Sequence, residues 1–214
     1  MPSSKTLFDL HVHSHYSTDC KSKPRDLIKI AKKKKLTGIA ITDHNTTKFH
    51  KIEQIKSDVL IVPGVEVSTN KGHVIGLGIV EEIPKKMTVE ETIERINELG
   101  GLPVISHPFD FTRKGIGKEV YKLREVAIET QNASCPFQRF NEKAKQWALK
   151  NKLPETGGSD AHRVKDVGMA YTIVENPIES IEELLENIRK GKTNSGGTHL
   201  SIPEKIVRSF QIHF

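Results

Sequence analysis

The chain has 214 residues, 28% of them charged and 6% aromatic, with a formal net charge of +6. That length is enough to bury a full core, and no stretch approaches the roughly 20 apolar residues of a membrane-spanning helix. Cys20 and Cys135 are the only cysteines, which excludes a disulfide scaffold and fits a reducing compartment. With no apolar signal core at the N-terminus, a cytoplasmic location is expected.

The first element is a strand over residues 7–13, Leu7-Phe8-Asp9-Leu10-His11-Val12-His13. Successive strand side chains face opposite ways. Asp9, His11 and His13 therefore share one face, and Phe8, Leu10 and Val12 the other. Two imidazoles are costly to bury without partners, and on a rigid strand they begin a metal site. A helix over 24–35 follows, with Pro24 in its first turn and Leu27, Ile28 and Ala31 on its apolar side. It ends in four lysines at 32–35, a solvated face that suits the helix dipole. The rival reading, a nucleic-acid patch, lacks the interleaved aromatics such patches carry.

Residues 38–42 read as a β-branched strand, 48–56 as a polar helix, 59–67 as a strand interrupted at Pro63-Gly64, and 73–80 as an apolar run. Thr88-Val89-Glu90-Glu91 is a capping box. It starts a helix that buries Val89, Ile93, Ile96 and Leu99 and stops at Gly100-Gly101. Strands at 102–106 and 125–130, a helix at 137–150, a strand-like stretch at 154–158 and an extended one at 169–174 come next. Asn176-Pro177-Ile178-Glu179 caps a last helix carrying Ile178, Ile181, Leu184, Leu185 and Ile188, and a glycine-containing loop covers 191–197. No repeat or linker divides the chain, so one domain over 1–214 is expected. Strands alternating with helices argue a parallel sheet, closed or open. At least six βα-type units favour the barrel, where active-site side chains stand at the C-terminal strand ends.

On that map His11 and His13 end the first strand, Asp43 and His44 the second, Glu66 the third. His107 ends the strand at 102–106, and Asp160 and His162 follow 154–158. Any one of these pieces reads as a cap, a turn or a satisfied histidine; five at five strand ends read as one site. Imidazoles and carboxylates without paired thiolates suit Zn, Mn or Fe better than Ca. There are too many ligands for one ion. A carboxylate such as Glu66 can bridge, and the count points to two or three ions. His50, His199 and His213 lack this placement and read as surface residues.

The motifs Asp9-Leu-His11-Val-His13, Thr42-Asp43-His44, Pro63-Gly64-Val65-Glu66, His107-Pro108 and Ser159-Asp160-Ala161-His162 resemble those of the PHP (polymerase and histidinol phosphatase) family. The resemblance runs over nearly the whole chain. It implies a distorted (β/α)7 barrel with a trinuclear metal centre that hydrolyses phosphoesters. Carried over by motif, His11, His13, Glu66 and Asp160 hold one metal. Glu66 bridges to a second, held also by His107. A third takes Asp19, His44 and His162. Cys135 stands where the family places another ligand of the second metal, and reads either as a thiolate ligand or as a small buried core residue. His15 reads as backing the site or facing solvent; His73, which recurs near the site in the family, reads first as a strand histidine bonded to backbone and second as part of the site.

The resemblance thus implies a hydrolase, a stand-alone phosphoesterase acting on a small phosphomonoester with a metal-activated water as nucleophile. Glu66 and Asp160 carry the metal chemistry. Arg113, in the loop after His107-Pro108, is the first candidate to cradle phosphate, ahead of Arg139 and Arg163. Asp9 and Asp43 are expected to orient the imidazoles. The chain lacks a polymerase region, leaves no room between Glu66 and Gly72 for the insert domain of nucleotidase-like members, and is shorter than the usual histidinol phosphatase. The rivals are a phosphodiesterase or nuclease, helped by the positive charge, and a non-catalytic binding module. A small phosphorylated substrate is the expected partner, nucleic acid the alternative, and no membrane is expected.

Overall fold

A computed structural model of the protein describes residues 6–200. Strands β1 (Thr6–Val12), β2 (Gly38–Ile41) and β3 (Leu60–Ser68) run parallel. The chain then turns back at once: β4 (His73–Leu77) is antiparallel to β3, and β5 (Leu102–Ile105) is antiparallel to β4. β6 (Ala127–Asn132) and β7 (Glu155–Gly158) continue parallel to β5. On the other side, β8 (Ala170–Val174) runs antiparallel to β1, and β9 (Thr193–Gly197) antiparallel to β8. All nine form one mixed sheet in the order β7-β6-β5-β4-β3-β2-β1-β8-β9. It curls until the chain after β7 meets β1, where the Asp160 amide donates to the His11 carbonyl at 2.7 Å and the His13 amide to Ala161 at 3.0 Å. The result is the nearly closed, distorted α/β barrel expected, although the sheet is not all parallel.

The helices are α1 (Pro24–Lys33), α2 (Lys48–Ile52), α3 (Val89–Glu98), α4 (Gln138–Asn151) and α5 (Ile181–Arg189). Phe8, Leu10, Ala40, Val62, Leu77, Leu102 and Ala127 fill the barrel interior together with Leu184, Leu185 and Ile188 of α5. Helix α5 thereby plugs the end where the parallel strands begin. α3 and α4 cover Val65, Val74, Ile105 and Ile128 on the outer face, and α1 covers Ile39 and Ile41. Among the described residues no helix is long and apolar enough to cross a membrane.

Several expectations change in detail. The even alternation along β1 fails, because the β1–β2 register shifts between Asp9 and Val12. Phe8 and Leu10 enter the interior while Val12 packs beside α1. Pro63 does not interrupt β3: it sits opposite Ile41, the last residue of β2, where a missing donor is tolerated. The last helix is capped by Ser180, whose hydroxyl accepts from the Glu183 amide at 3.1 Å, and not by Asn176, so Ile178 is buried ahead of the helix and not on it. The capping box at Thr88 and Glu91 is present as read. The stretch at 191–197 is strand β9 over most of its length. Thr-Asn-Ser-Gly-Gly has little strand propensity, and its pairing comes from the backbone of β8.

Candidate metal centre

The parallel strands deliver their C-terminal ends to one edge of the barrel, and the expected ligands gather there. Four overlapping sets of three have donor atoms within 4.8 Å of one another: His11, His13 and Asp160; His11, Glu66 and His107; His44, Glu66 and His73; and His13, His44 and His162. Asp19 joins the last set, its Oδ2 3.1 Å from His162 Nε2 and 3.4 Å from His44 Nε2. Every histidine read as a ligand from its strand end is therefore in the cluster.

Glu66 stands at the middle. One carboxylate oxygen, Oε2, lies 3.0 Å from His44 Nδ1, 3.3 Å from His11 Nε2 and 3.5 Å from His13 Nε2. The other, Oε1, lies 3.1 Å from both His107 Nε2 and His73 Nδ1, and accepts from the Ser106 hydroxyl. Five imidazoles thus divide between its two oxygens. Burial alone would make this acid weaker, but His73, His11 and His44 hold it well below the usual carboxylate range. His73 is a correction to the strand-histidine reading, since its ring faces Glu66. The signal was position: in the β3–β4 hairpin His73 pairs with Ser68, two residues past Glu66.

The cluster is braced from behind by a residue that sequence reasoning passed over. Glu129 Oε1 lies 2.9 Å from His11 Nδ1, while its Oε2 accepts the His107 backbone N–H at 2.8 Å and the Asn132 amide at 3.0 Å. A carboxylate behind an imidazole fixes the ring and its tautomer. The available signal was a charged residue between Ile128 and Thr130 in an otherwise buried strand. On the other side, the Asp43 carboxylate accepts the Ser17 hydroxyl at 3.0 Å, and Ser17 Oγ is 3.2 Å from His13 Nδ1. Asp43 therefore positions an imidazole through a hydroxyl. Asp9 touches no imidazole; it accepts from the Ser159 amide and hydroxyl, the Gly168 amide and the His11 amide, fastening the barrel seam.

His107 (φ 31°) and Asp160 (φ 51°) both occupy the left-handed region, which costs a non-glycine residue on the order of 1 kcal/mol. The Glu129 bond to the His107 amide and the His11 bond to the Asp160 amide hold them there. Burial pushes His11 toward its neutral form, but Glu129, Glu66 and Asp160 raise its pKa well above the usual range. His13 goes the opposite way, lowered by burial and by His162 and His44. Partly buried His44 rises to about 10 beside Glu66 and Asp19.

Arg113 sits on the rim, its Nη2 2.6 Å from Asp160 Oδ2. With Thr112, Lys114, Asp19 and His73 it bounds a cleft of about 210 Å³ that opens onto Glu66 and Asp160. Larger surface hollows beside α1, of about 750 and 790 Å³, hold none of the cluster's ligands. Arg163 is engaged with Asp166, and Arg139 lies over the Phe137 and Phe140 rings. Cys135 is buried next to Asp110, Glu129 and Arg113, and burial raises its thiol; none of the four sets includes it. His15 is exposed and stacks on Tyr16. His50 is half buried, its Nε2 2.9 Å from the Ile41 carbonyl and 3.2 Å from the Gly64 amide, so it clips β2 to β3 and is not a surface residue. His199 is exposed, and His213 lies outside the described residues.

The donor set fits transition-metal ions. Asp19 Oδ1, His73 Nε2 and His107 Nδ1 are buried without a hydrogen-bond partner. Such atoms are costly in a protein that binds nothing there. The family comparison agrees. The PHP domain profile matches residues 9–105, and the PHP-associated profile residues 138–193. An uncharacterized protein of Methanocaldococcus jannaschii, MJ0417, is 35% identical over 198 residues, 87% of this chain and 80% of its own length. The chain belongs to the PHP domain family. Its fold is that of a two-domain protein of Bacteroides vulgatus containing a predicted PHP-like metal-dependent phosphoesterase (TM-score 0.70, 18% identity, 97% of this chain and 70% of that one). It is also that of the lesion-specific endonuclease PfuEndoQ of Pyrococcus furiosus (TM-score 0.67, 18% identity, 96% and 66%).

Proposed function

We propose that this protein is a metal-dependent phosphoesterase that hydrolyses a small phosphomonoester at a centre of two or three Zn, Mn or Fe ions. The observation that carries the reading is Glu66, a buried carboxylate whose two oxygens face separate groups of histidines, as a bridging ligand must. His11, His13, Glu66 and Asp160 would hold one ion. Glu66 and His107 would hold a second, with His73 or Cys135 completing it. Asp19, His44 and His162 would hold a third. When bound, the ions supply an activated water and offset the charge of the phosphate.

The chain's own residues supply the remainder. Arg113, and Lys114 beside it on the cleft wall, present cationic groups to the phosphate. Arg113 is held by Asp160 at 2.6 Å, so it is ordered before a substrate arrives. Glu129 keeps His11 and the strained His107 in place, and Ser17 with Asp43 keeps His13. The cleft, at about 210 Å³, suits a phosphate group and little more. The reading treats residues 1–214 as one PHP domain in the cytoplasm, where Cys20 and Cys135, which form no disulfide, stay reduced.

A phosphodiesterase or nuclease is the second reading, favoured by the fold shared with an endonuclease and by the net charge of +6. A non-catalytic module is disfavoured, because binding alone gives no use to so many buried donors. The deciding experiment is metal analysis of unchelated protein together with phosphate release from a panel of phosphomonoesters and single-stranded oligonucleotides under Mn. At least two ions per chain and turnover of the monoesters are expected. Metal-free protein that gains no thermal stability from Zn or Mn would overturn the reading, since a ligand of the folded state must stabilise it.

A further inference from the structure

The loop that supplies Arg113 also carries an aromatic surface that the proposed chemistry leaves unused. Phe111, two residues before Arg113, is 75% exposed, and Phe137, just ahead of α4, is 44% exposed. A lone exposed apolar side chain carries no message, but these two belong to one group. The Phe140 ring stands edge-on to both, 5.6 Å from Phe111 and 5.8 Å from Phe137. The Arg139 guanidinium lies 4.8 Å from the Phe137 centroid and 5.4 Å from that of Phe140. The rings stand outside the cleft lining, but the chain on either side of the group leads to it. Thr112 and Arg113, next in the same turn as Phe111, line it. Cys135, two residues before Phe137, lies beside Asp110 and Arg113.

We propose that this surface seats a nucleobase, so that the phosphoester cleaved here belongs to a nucleotide. The inference rests on the phosphoesterase reading of the cleft and deepens it. Every base offers a flat π face, and exposed aromatic side chains bind such faces without regard to sequence. Arg139 adds a cation that interacts with rings as readily as with phosphate. Phosphate at Arg113 and a base at Phe111 and Phe137 leave the sugar to span the rim. Hydrolysis would add water across the P–O bond: the phosphoryl group takes the hydroxyl and the departing sugar oxygen takes the proton. A sugar phosphate without a base would make no use of these rings. A folded protein partner would need a far larger apolar area than three rings provide. The shared chemistry is base, sugar and phosphate, whether as a free nucleotide or as the end of a strand.

Calorimetric titration of the intact chain with adenosine monophosphate, ribose 5-phosphate and a 5′-phosphorylated single-stranded oligonucleotide tests this. Wild type should prefer the nucleotide to the sugar phosphate by about tenfold or more, in keeping with the strength of base–aromatic stacking. Phe111→Ala and Phe137→Ala should each cut that ratio at least about fivefold, whereas Phe111→Tyr, which keeps a π face, should retain it; thermal melts confirm that each variant is folded. A loss confined to the nucleotide identifies a free nucleotide, and one that extends to the oligonucleotide identifies a strand end; both uphold the proposal. Equal affinity of wild type for nucleotide and sugar phosphate would overturn it, as would a Phe111→Ala variant that weakens both alike. A change in sedimentation of Phe111→Ala would overturn it too, assigning the face to self-association. Phosphate release measured with both adenosine monophosphate and ribose 5-phosphate separates the two readings. Turnover without nucleotide preference sinks only the aromatic seat, and Phe111-dependent preference without turnover sinks only the phosphoesterase.

Discussion

Asp9 and Glu66 are both buried carboxylates on the parallel strands β1 and β3, and their neighbours set them opposite tasks. Asp9 is ringed by neutral donors: two amides and a hydroxyl from Ser159 and Gly168, with the His11 amide further off. Burial raises it and those bonds pull it only part of the way back, leaving it at about 6. Glu66 is ringed by imidazoles and is driven far down despite equal burial. Amide donors have fixed places in the backbone, so Asp9 can do nothing but hold β1 to the chain after β7. Imidazoles can trade their protons for metal ions, so the surroundings of Glu66 are chemically exchangeable. A buried charge therefore closes the barrel in one place and opens it to chemistry in the other.

The sharpest way to break that comparison is Glu66→Gln. One neutral amide cannot serve two groups of ligands, so bound metal should fall below two ions per chain and hydrolysis by at least about a hundredfold, a loss beyond that of a residue that only supports a ligand. Metal analysis and phosphate release measure this, and survival of both would remove Glu66 from the centre.

The same imidazoles give the metal-free protein a distinctive pH response. His44 rises to about 10 when folded, above its unfolded value near 6.5. A histidine raised in this way contributes stability that is complete below about pH 6.5 and is lost as pH climbs through about 10. Chelator-treated protein should melt at progressively lower temperature across that window. Reloading with Zn should flatten the curve, because the ion takes over the carboxylates that the protonated ring was holding. A flat curve in the stripped protein would show that Glu66 and Asp19 do not govern His44.

Glu129→Gln and Asp9→Asn probe the two supports. The amide at 129 keeps the shape but weakens the hold on His11 Nδ1, and such changes cost about 10- to 100-fold in metal affinity. Competition with a chromogenic chelator reads that loss. Asp9→Asn turns an NH2 toward the Ser159 or Gly168 donors, which costs about 1–3 kcal/mol, seen as a lower Tm with metal content unchanged. If Asp9→Asn also strips metal, the seam and the centre are one unit and the contrast between them fails.

Much of this was legible because most candidate ligands sit directly after apolar runs, where periodicity gives way to histidine and carboxylate. His11, His13, His44, Glu66 and His107 announce themselves that way; Asp160 and His162 follow the polar, glycine-rich β7 and stood out as an Asp-x-His pair, and Asp19 came from the family resemblance. Glu129 did not, since it sits within its strand and its partners, His11 and the His107 amide, are distant in sequence. His50 looked like a surface residue because nothing local shows that α2, which ends at Ile52, turns its ring toward β2 and β3. The β3–β4 hairpin and β9 escaped for the same reason. Alternation of strands and helices does not reveal direction, and backbone pairing with β8 is invisible in a Gly-rich sequence.

The smallest effect is expected at the lysine run. The Ser22 hydroxyl donates to the His162 carbonyl at 3.2 Å, which places the start of α1 at the candidate metal centre. The ten residues of α1 then carry the chain about 14 Å away along the axis, at 1.5 Å per residue. Lys32 ends that path in an exposed pair with Asp58, and Lys34 instead bonds the Lys165 and Val167 carbonyls. An exposed pair contributes little, so Lys32→Gln combined with Lys33→Gln should leave Tm, metal content and monoester hydrolysis at wild-type levels while sparing the Lys34 hydrogen bonds. The informative readout is oligonucleotide cleavage as a function of salt. Removing one lysine that neutralises a strand phosphate should flatten the salt dependence by about one unit of log–log slope. An unchanged slope places the lysines outside the path of any substrate strand. A flattened one, with slower cleavage, would connect the far end of α1 to the centre and turn the balance toward the nuclease.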